Sequence, residues 1–309
     1  MWTDKCSQLM FKPINNDYDT IKATILRKEN SPEIVYKYRS ISDKNIEALS
    51  NNILMAVAPS KLNDPYESAS YVNYKNRVNL IYKSFVEYFY KRTGRRLHIE
   101  IDRINGREEL FNSLMTCLGV LNEDLEFWDN IFHYSEEMLE QKLLEIQGEI
   151  KQLNDEILRV CTFSQCNDSN PMWAQYAENF TGFCVGYNLT ELREDPTDLF
   201  LPVRYEDTFI EINDTFFCKG EINKSFLLDS LTIKFSQWSY EKEWRLVQLT
   251  NNSNWFQNVK LPNPKVIILG KNISEKDQER LIKIADALHT KCVKQRERLE
   301  KYGYDLVEL

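Results

Sequence analysis

The 309-residue chain lacks most of the parts on which familiar enzyme chemistries are built. Its three histidines, His98, His133 and His289, lie far apart, and no CxxC occurs among its seven cysteines. A zinc site therefore has no signature. None of the nine glycines falls in GxGxxG, GxxxxGK[ST] or GxSxG, and HExxH is absent. Rossmann, P-loop, α/β-hydrolase and zinc-hydrolase readings fall for want of these parts. No apolar run approaches the roughly 20 residues that span a bilayer. The opening Met1-Trp2-Thr3-Asp4-Lys5-Cys6 lacks the apolar stretch of a secretory leader. A cytoplasmic location without membrane contact is expected, and the odd, scattered cysteines suit reduced thiols. Basic charge is short as well: 39 Lys and Arg against 47 Asp and Glu give −8. That balance supplies no overall pull towards nucleic acid or anionic membranes. The local run Lys91-Arg92-Thr93-Gly94-Arg95-Arg96 reads as a solvated helix end and turn.

Large apolar side chains are plentiful. Sixteen Tyr, sixteen Phe and six Trp supply the surface for a core. Ile34–Arg39 is β-branched and aromatic with alternation, and so reads as a strand. Ser42 or Asp43 caps a short helix through Asn45–Ser50, and Ile53–Ala58 is a second strand ending at Pro59. Val160–Ser164, Phe183–Tyr187, Val203–Tyr205, Tyr240–Leu249 and Lys265–Gly270 are further strands, and Tyr304–Val307 closes the sheet. Helices are expected over Tyr18–Lys28, from Pro171 through Ala177, over Ser225–Gln237 and over Ser274–His289. The expected fold is α+β: a central mixed or antiparallel sheet with flanking helices. One domain spans 1–309, with residues 30–69 and 159–309 forming the sheet core and 70–158 a helical insertion. Within that insertion Leu139, Leu143, Ile146, Ile150, Leu153, Ile157 and Val160 follow alternating steps of four and three, a heptad seam. The seam fits a long helix packed on its own domain, or a homodimer or partner contact through residues 139–160.

Glu241-Lys242-Glu243-Trp244-Arg245 is the most informative stretch. On a strand, Glu241, Glu243 and Arg245 share one face while Trp244 and Leu246 take the other. Adjacent carboxylates raise each other's pKa and the guanidinium opposes that, an arrangement suited to acid–base work. A solvated polar face would show the same residues. Trp173 and Tyr176, three apart on a helix, make an aromatic wall or simply core. Asn63-Asp64-Pro65-Tyr66-Glu67 is a turn whose side chains either bond the local backbone or meet a ligand. Arg39 at a strand end suits bidentate capture of phosphate or carboxylate, or a surface ion pair.

Several of these pieces occur in one order: Tyr36-Lys37-Tyr38-Arg39, Leu62–Glu67, Phe163-Ser164-Gln165, Met172–Ala177, Gly182–Val185, Trp238–Arg245 and Ile267–Gly270. Together they resemble the bacterial domain-of-unknown-function family 2971. More distantly, the order of a strand bearing Arg, a short helix, a second strand and a late Glu-x-Glu resembles ADP-ribosyltransferases. That resemblance implies NAD as substrate, with Arg39 holding the dinucleotide, Ser164 as the middle-strand residue, Glu243 as the catalytic carboxylate and Glu241 orienting the acceptor. Tyr38, Trp173 or Tyr176 would stack the nicotinamide, with Asn63, Asp64 and Arg245 completing the site. It also implies a protein or nucleic-acid acceptor and a setting in bacterial defence or toxin systems. Two alternatives stand beside it: a non-enzymatic module assembling through the 139–160 helix, and a magnesium-dependent nuclease using Asp64, Glu67, Glu241 and Glu243.

Overall fold

The computed structural model describes residues 1–11, 17–71, 107–118, 125–193, 199–211, 217–218, 221–222, 224–250 and 254–309, with isolated positions between 79 and 104. Two compact units are formed. The first comprises Met1–Ser68, Gln152–Thr208 and Lys224–Leu309; the second comprises Ala69–Lys151 and Phe209–Asn223.

The first unit is built on a ten-stranded sheet. Its strands are β1 (Ile34–Arg39), β2 (Ile53–Val57), β3 (Leu158–Ser164), β4 (Phe183–Asn188), β5 (Leu199–Pro202), β6 (Glu243–Leu249), β7 (Phe256–Lys260), β8 (Val266–Leu269), β9 (Lys291–Glu297) and β10 (Tyr304–Glu308). The order β7-β2-β3-β1-β4-β8-β9-β10 is joined by a branch in which β6 pairs with β3 and β5. Only β8 and β9 run parallel within it, joined by the helix Glu275–Ala287. The sheet is therefore mixed and mostly antiparallel, as the alternation of the strands led one to expect.

The branch follows from uneven pairing of β3. Along one edge it pairs with β6 for seven residues, from Glu243↔Ser164 to Leu249↔Leu158. Along the other it meets β2 only at Val57↔Val160 and β1 only at Tyr36↔Ser164. Between those two points the sheet is split.

One face is closed by α1 (Trp2–Met10), α2 (Asp17–Asn30), α3 (Asp43–Ser50) and the helix 275–287. Val35, Leu54, Phe163, Phe200, Trp244, Ile267 and Leu281 are buried together there. Ser42 caps α3 by accepting a hydrogen bond from the Asn45 amide at 3.2 Å. Ser274 caps the later helix in the same way, from Asp277 at 3.1 Å. On the other face, α4 (Asn170–Tyr176) sets Trp173 against Tyr38 and Phe180, with ring centroids 5.2 and 5.8 Å apart. Beyond α4 and its cap Ala177, Glu178, Asn179 and Phe180 all have positive φ. Gly182 and Gly270 make this turn fit, since a Cβ on either would lie 2.1 Å from a backbone oxygen, of Arg39 and Phe180 respectively.

In the second unit, the helix Arg107–Leu118 buries Leu110 and Leu114, four apart on one side. Short pairs link Ser70–Tyr71 with Ile210–Glu211 and Phe217–Cys218 with Glu221–Ile222. A long helix, Leu125–Ile157, passes from this unit into the first. It carries the heptad seam as far as Ile157, then leads straight into β3, so Val160 is a strand residue. The side chains of Leu139 and Leu143 lie outside the described residues, as does most of the basic run 91–96. Among the described residues, no helix is long and apolar enough to cross a membrane.

Candidate functional site

The split in the sheet opens into a pocket of about 200 Å³ lined by Tyr36, Lys37, Asn63, Tyr176, Glu241, Glu243 and their neighbours. Behind it lies a chain of buried charges. Arg245, with none of its surface exposed, donates from both terminal nitrogens to Glu67 at 2.5 and 3.0 Å, and from Nε to Glu243 at 2.7 Å. Its Nη1 also donates to the Leu231 carbonyl at 2.6 Å. Lys234 donates to Glu241 at 2.5 Å and to Glu243 at 2.8 Å, bridging the two carboxylates. Tyr176 donates its hydroxyl hydrogen to the free side of Glu241 at 2.6 Å. Asn63 donates to the same Tyr176 oxygen at 2.6 Å and lies 3.3 Å from Glu241.

Local structure explains how the residues converge. Glu243 and Arg245 project from the same face of β6, as alternation requires, while Trp244 and Leu246 enter the core. Glu241 reaches the cluster differently from the strand expectation. It ends the 3₁₀ turn Ser236–Glu241, and Lys242, at φ 43°, turns the chain before β6 begins. Ser164 holds that turn by donating to the Glu241 carbonyl at 2.6 Å. Asp64 does not enter the pocket; its carboxylate accepts from the Tyr66 amide at 2.9 Å, and the Glu67 amide bonds its carbonyl. The Asn-Asp-Pro turn thus aims Asn63 into the pocket and Glu67 at Arg245.

Environment pushes the two central carboxyls apart. Burial raises Glu243, but Arg245, Lys234 and a hydrogen bond from Glu241 outweigh it and hold the carboxyl at about 2. Glu241 goes the other way, raised first by burial and then by the Glu243 charge, against the pull of Lys234. Burial lowers Lys234, and the two carboxylates outweigh that and raise it. Burial also raises Glu67, opposed by Arg245. Three carboxyl groups share two cations, so the cluster alone holds one surplus negative charge when every group is ionised.

The other expected site residues are spread more widely. Tyr38 lines the pocket, with its hydroxyl donating to the Cys166 carbonyl at 2.9 Å. Trp173 is fully buried core, its indole donating to Asn167 at 2.7 Å. Arg39 donates to Asn45 at 3.2 Å, beside Tyr187, and is not among the lining residues. Sequence reasoning missed Lys234 and Lys37. Lys234 sits in a strand, Ile233–Phe235, paired parallel with Arg204–Glu206, inside the stretch read as one helix over Ser225–Gln237. The apolar–polar–apolar order Ile233-Lys234-Phe235 was the available signal. Among the described residues, no group of three or more His, Cys, Asp or Glu side chains is arranged to hold a metal ion.

No curated protein and no solved structure matches the chain, so the ADP-ribosyltransferase resemblance stands on residue order alone. Residues 172–246 match the model of a family described as Protein of unknown function (DUF2971). That segment, which resembles family 2971, runs from the helix bearing Tyr176 to the strand bearing Glu243 and Arg245.

Proposed function

We propose that the pocket is the site of an NAD-consuming ADP-ribosyl transferase or glycohydrolase. One observation supports this reading above the others: two neighbouring carboxyls share a pocket wall, one held ionised and the other raised. Such a division separates a fixed anion from a proton acceptor. Cleaving the nicotinamide–ribose bond builds positive charge at the anomeric carbon, which Glu243 would stabilise. The acceptor oxygen, from water, protein or nucleic acid, bonds to that carbon as the carbon–nitrogen bond breaks. Nicotinamide leaves neutral, and the acceptor proton passes to Glu241, whose raised basicity and Tyr176 contact suit it to the task. A pocket of about 200 Å³ is smaller than those that enclose drug-sized ligands, so it would take the nicotinamide ribose and leave the adenylate outside.

The test is nicotinamide release from NAD by the purified chain in the presence of lysate and nucleic acid, read by mass spectrometry. Release is expected, with a loss of at least a hundredfold in Glu241→Gln and in Glu243→Gln. Retained turnover in both variants, or none in the parent protein, sinks the reading. A partner contact through the 139–160 helix is a second proposal, favoured by exposed Leu144 on that helix. A monomeric mass in solution together with no captured partner would remove it.

A further inference from the structure

Lys37 is the one pocket-lining cation held by the split of the sheet itself. Along the edge of β3, between its single pairings with β2 and β1, the Thr162 carbonyl has no strand opposite it. The Lys37 ammonium fills that place, donating to the Thr162 carbonyl at 2.7 Å and to its hydroxyl at 2.9 Å. Both acceptors are neutral, and Lys37 forms no ion pair among the described residues, whereas Lys234 takes two carboxylates. An ammonium has three hydrogens, and two are used. Lys37 is thus a positive charge fixed by neutral oxygens in the lining of a pocket that also carries Glu241 and Glu243. Withdrawn from water and hydrogen-bonded only to neutral oxygens, the ammonium keeps a donor for an anion that enters with the ligand.

We propose that Lys37 is the anchor for a phosphate group carried on the ligand's ribose, so that the pocket recognises a ribose 5′-phosphate unit. Charge separation inside the pocket sets the polarity of binding: phosphate towards Lys37 and the β3 edge, the anomeric end towards Glu241 and Glu243. This orientation rests on the NAD-cleaving reading; recognition of the phosphate does not. The groups around Lys37 are Arg39 on its own strand, Thr162 and Cys161 on β3, and Glu243 and Glu241 in the same pocket lining. Burial and then the Arg39 charge lower the Lys37 ammonium to about 8, so the anchor would be charged at neutral pH and discharged in mild alkali.

The experiment is calorimetric binding of four probes to the whole chain: nicotinamide mononucleotide, nicotinamide riboside, ribose 5-phosphate and ribose. At pH 7 each phosphorylated probe is expected to bind at least tenfold more tightly than its phosphate-free counterpart. Lys37→Met should erase that ratio without changing the affinity for the riboside, and Lys37→Arg should restore most of it. The ratio should also shrink between pH 7 and pH 9.5, where the phosphate itself stays dianionic. Ribose 5-phosphate binding that depends on Lys37, with no discrimination in favour of the nicotinamide probes, would keep the anchor and overturn the NAD reading. An equal loss for phosphorylated and phosphate-free probes in Lys37→Met, or no preference for phosphate in the parent protein, would overturn the anchor.

Discussion

Replacing Arg245 with Met keeps the stem of a fully buried side chain and removes its guanidinium. Glu67 then loses both hydrogen bonds from its partner, and the Leu231 carbonyl loses its donor. Glu243 is less affected, since Lys234 still reaches it at 2.8 Å. Breaking one side of a buried ion pair costs about 3–5 kcal/mol. The alternative open to Glu67 is to bind a proton, which from an ordinary carboxyl pKa costs about 1.4 kcal/mol per pH unit and so about 3–4 kcal/mol at pH 7. Both routes give the same size of loss. The sign of its pH dependence follows. Burial already raises the Glu67 carboxyl, and removing Arg245 takes away the cation that opposes it, so the folded-state pKa rises further above the unfolded value. Burial of the neutral carboxyl is then without penalty below the unfolded pKa, and stability is lost as pH rises through the window towards neutrality. Urea unfolding followed by far-ultraviolet circular dichroism should show a deficit of about 3–5 kcal/mol at pH 7, smaller by about 2–3 kcal/mol at pH 5. Adding Glu67→Gln to the same chain should recover a substantial part, because the stranded charge is gone. A deficit under about 1 kcal/mol, or one equal at both pH values, would show that this pair does not carry the burden assigned to it.

The parent protein should lose stability in acid for a related reason. Glu243 is depressed to about 2, so its contribution is complete above the ordinary carboxyl range and disappears as pH falls towards 2; that limb, on the order of 3 kcal/mol, should flatten in Glu243→Gln. Gly270→Ala places a methyl 2.1 Å from the Phe180 carbonyl oxygen, and a loss on the order of 3 kcal/mol is expected in the same unfolding experiment.

The sheet was legible where apolar residues dominate. Ile34–Arg39 forms the strand its alternation implies, and Val266–Leu269 lies within the run read as continuous and buried. Strand β9 was not legible, because Lys291-Cys292-Val293-Lys294-Gln295-Arg296-Glu297 alternates too weakly in polarity to register. At the site, the shared face of Glu243 and Arg245 could be read from period two alone. The convergence of Glu67, Lys234 and Lys37 on them could not, since each comes from a separate segment and only tertiary pairing brings them together. Helical spacing misled over Ser225–Gln237, where the helix Lys224–Ser230 gives way to the strand that carries Lys234. The seam breaks at its end, where Val160 keeps the heptad step while the backbone has already become strand.

The left-handed turn Glu178–Phe180 has a consequence for how this sequence can change over generations. Its shape is written jointly by positions distant in the chain, with the Phe180 carbonyl pressed where a Gly270 side chain would stand and Gly182 pressed against Arg39. A substitution at Gly270 is then harmful or tolerated according to what the turn has already become, and a turn that relaxes to an ordinary conformation releases Gly270 to vary. Mutational histories through this region should therefore be order-dependent: the turn must change first, and the glycine afterwards.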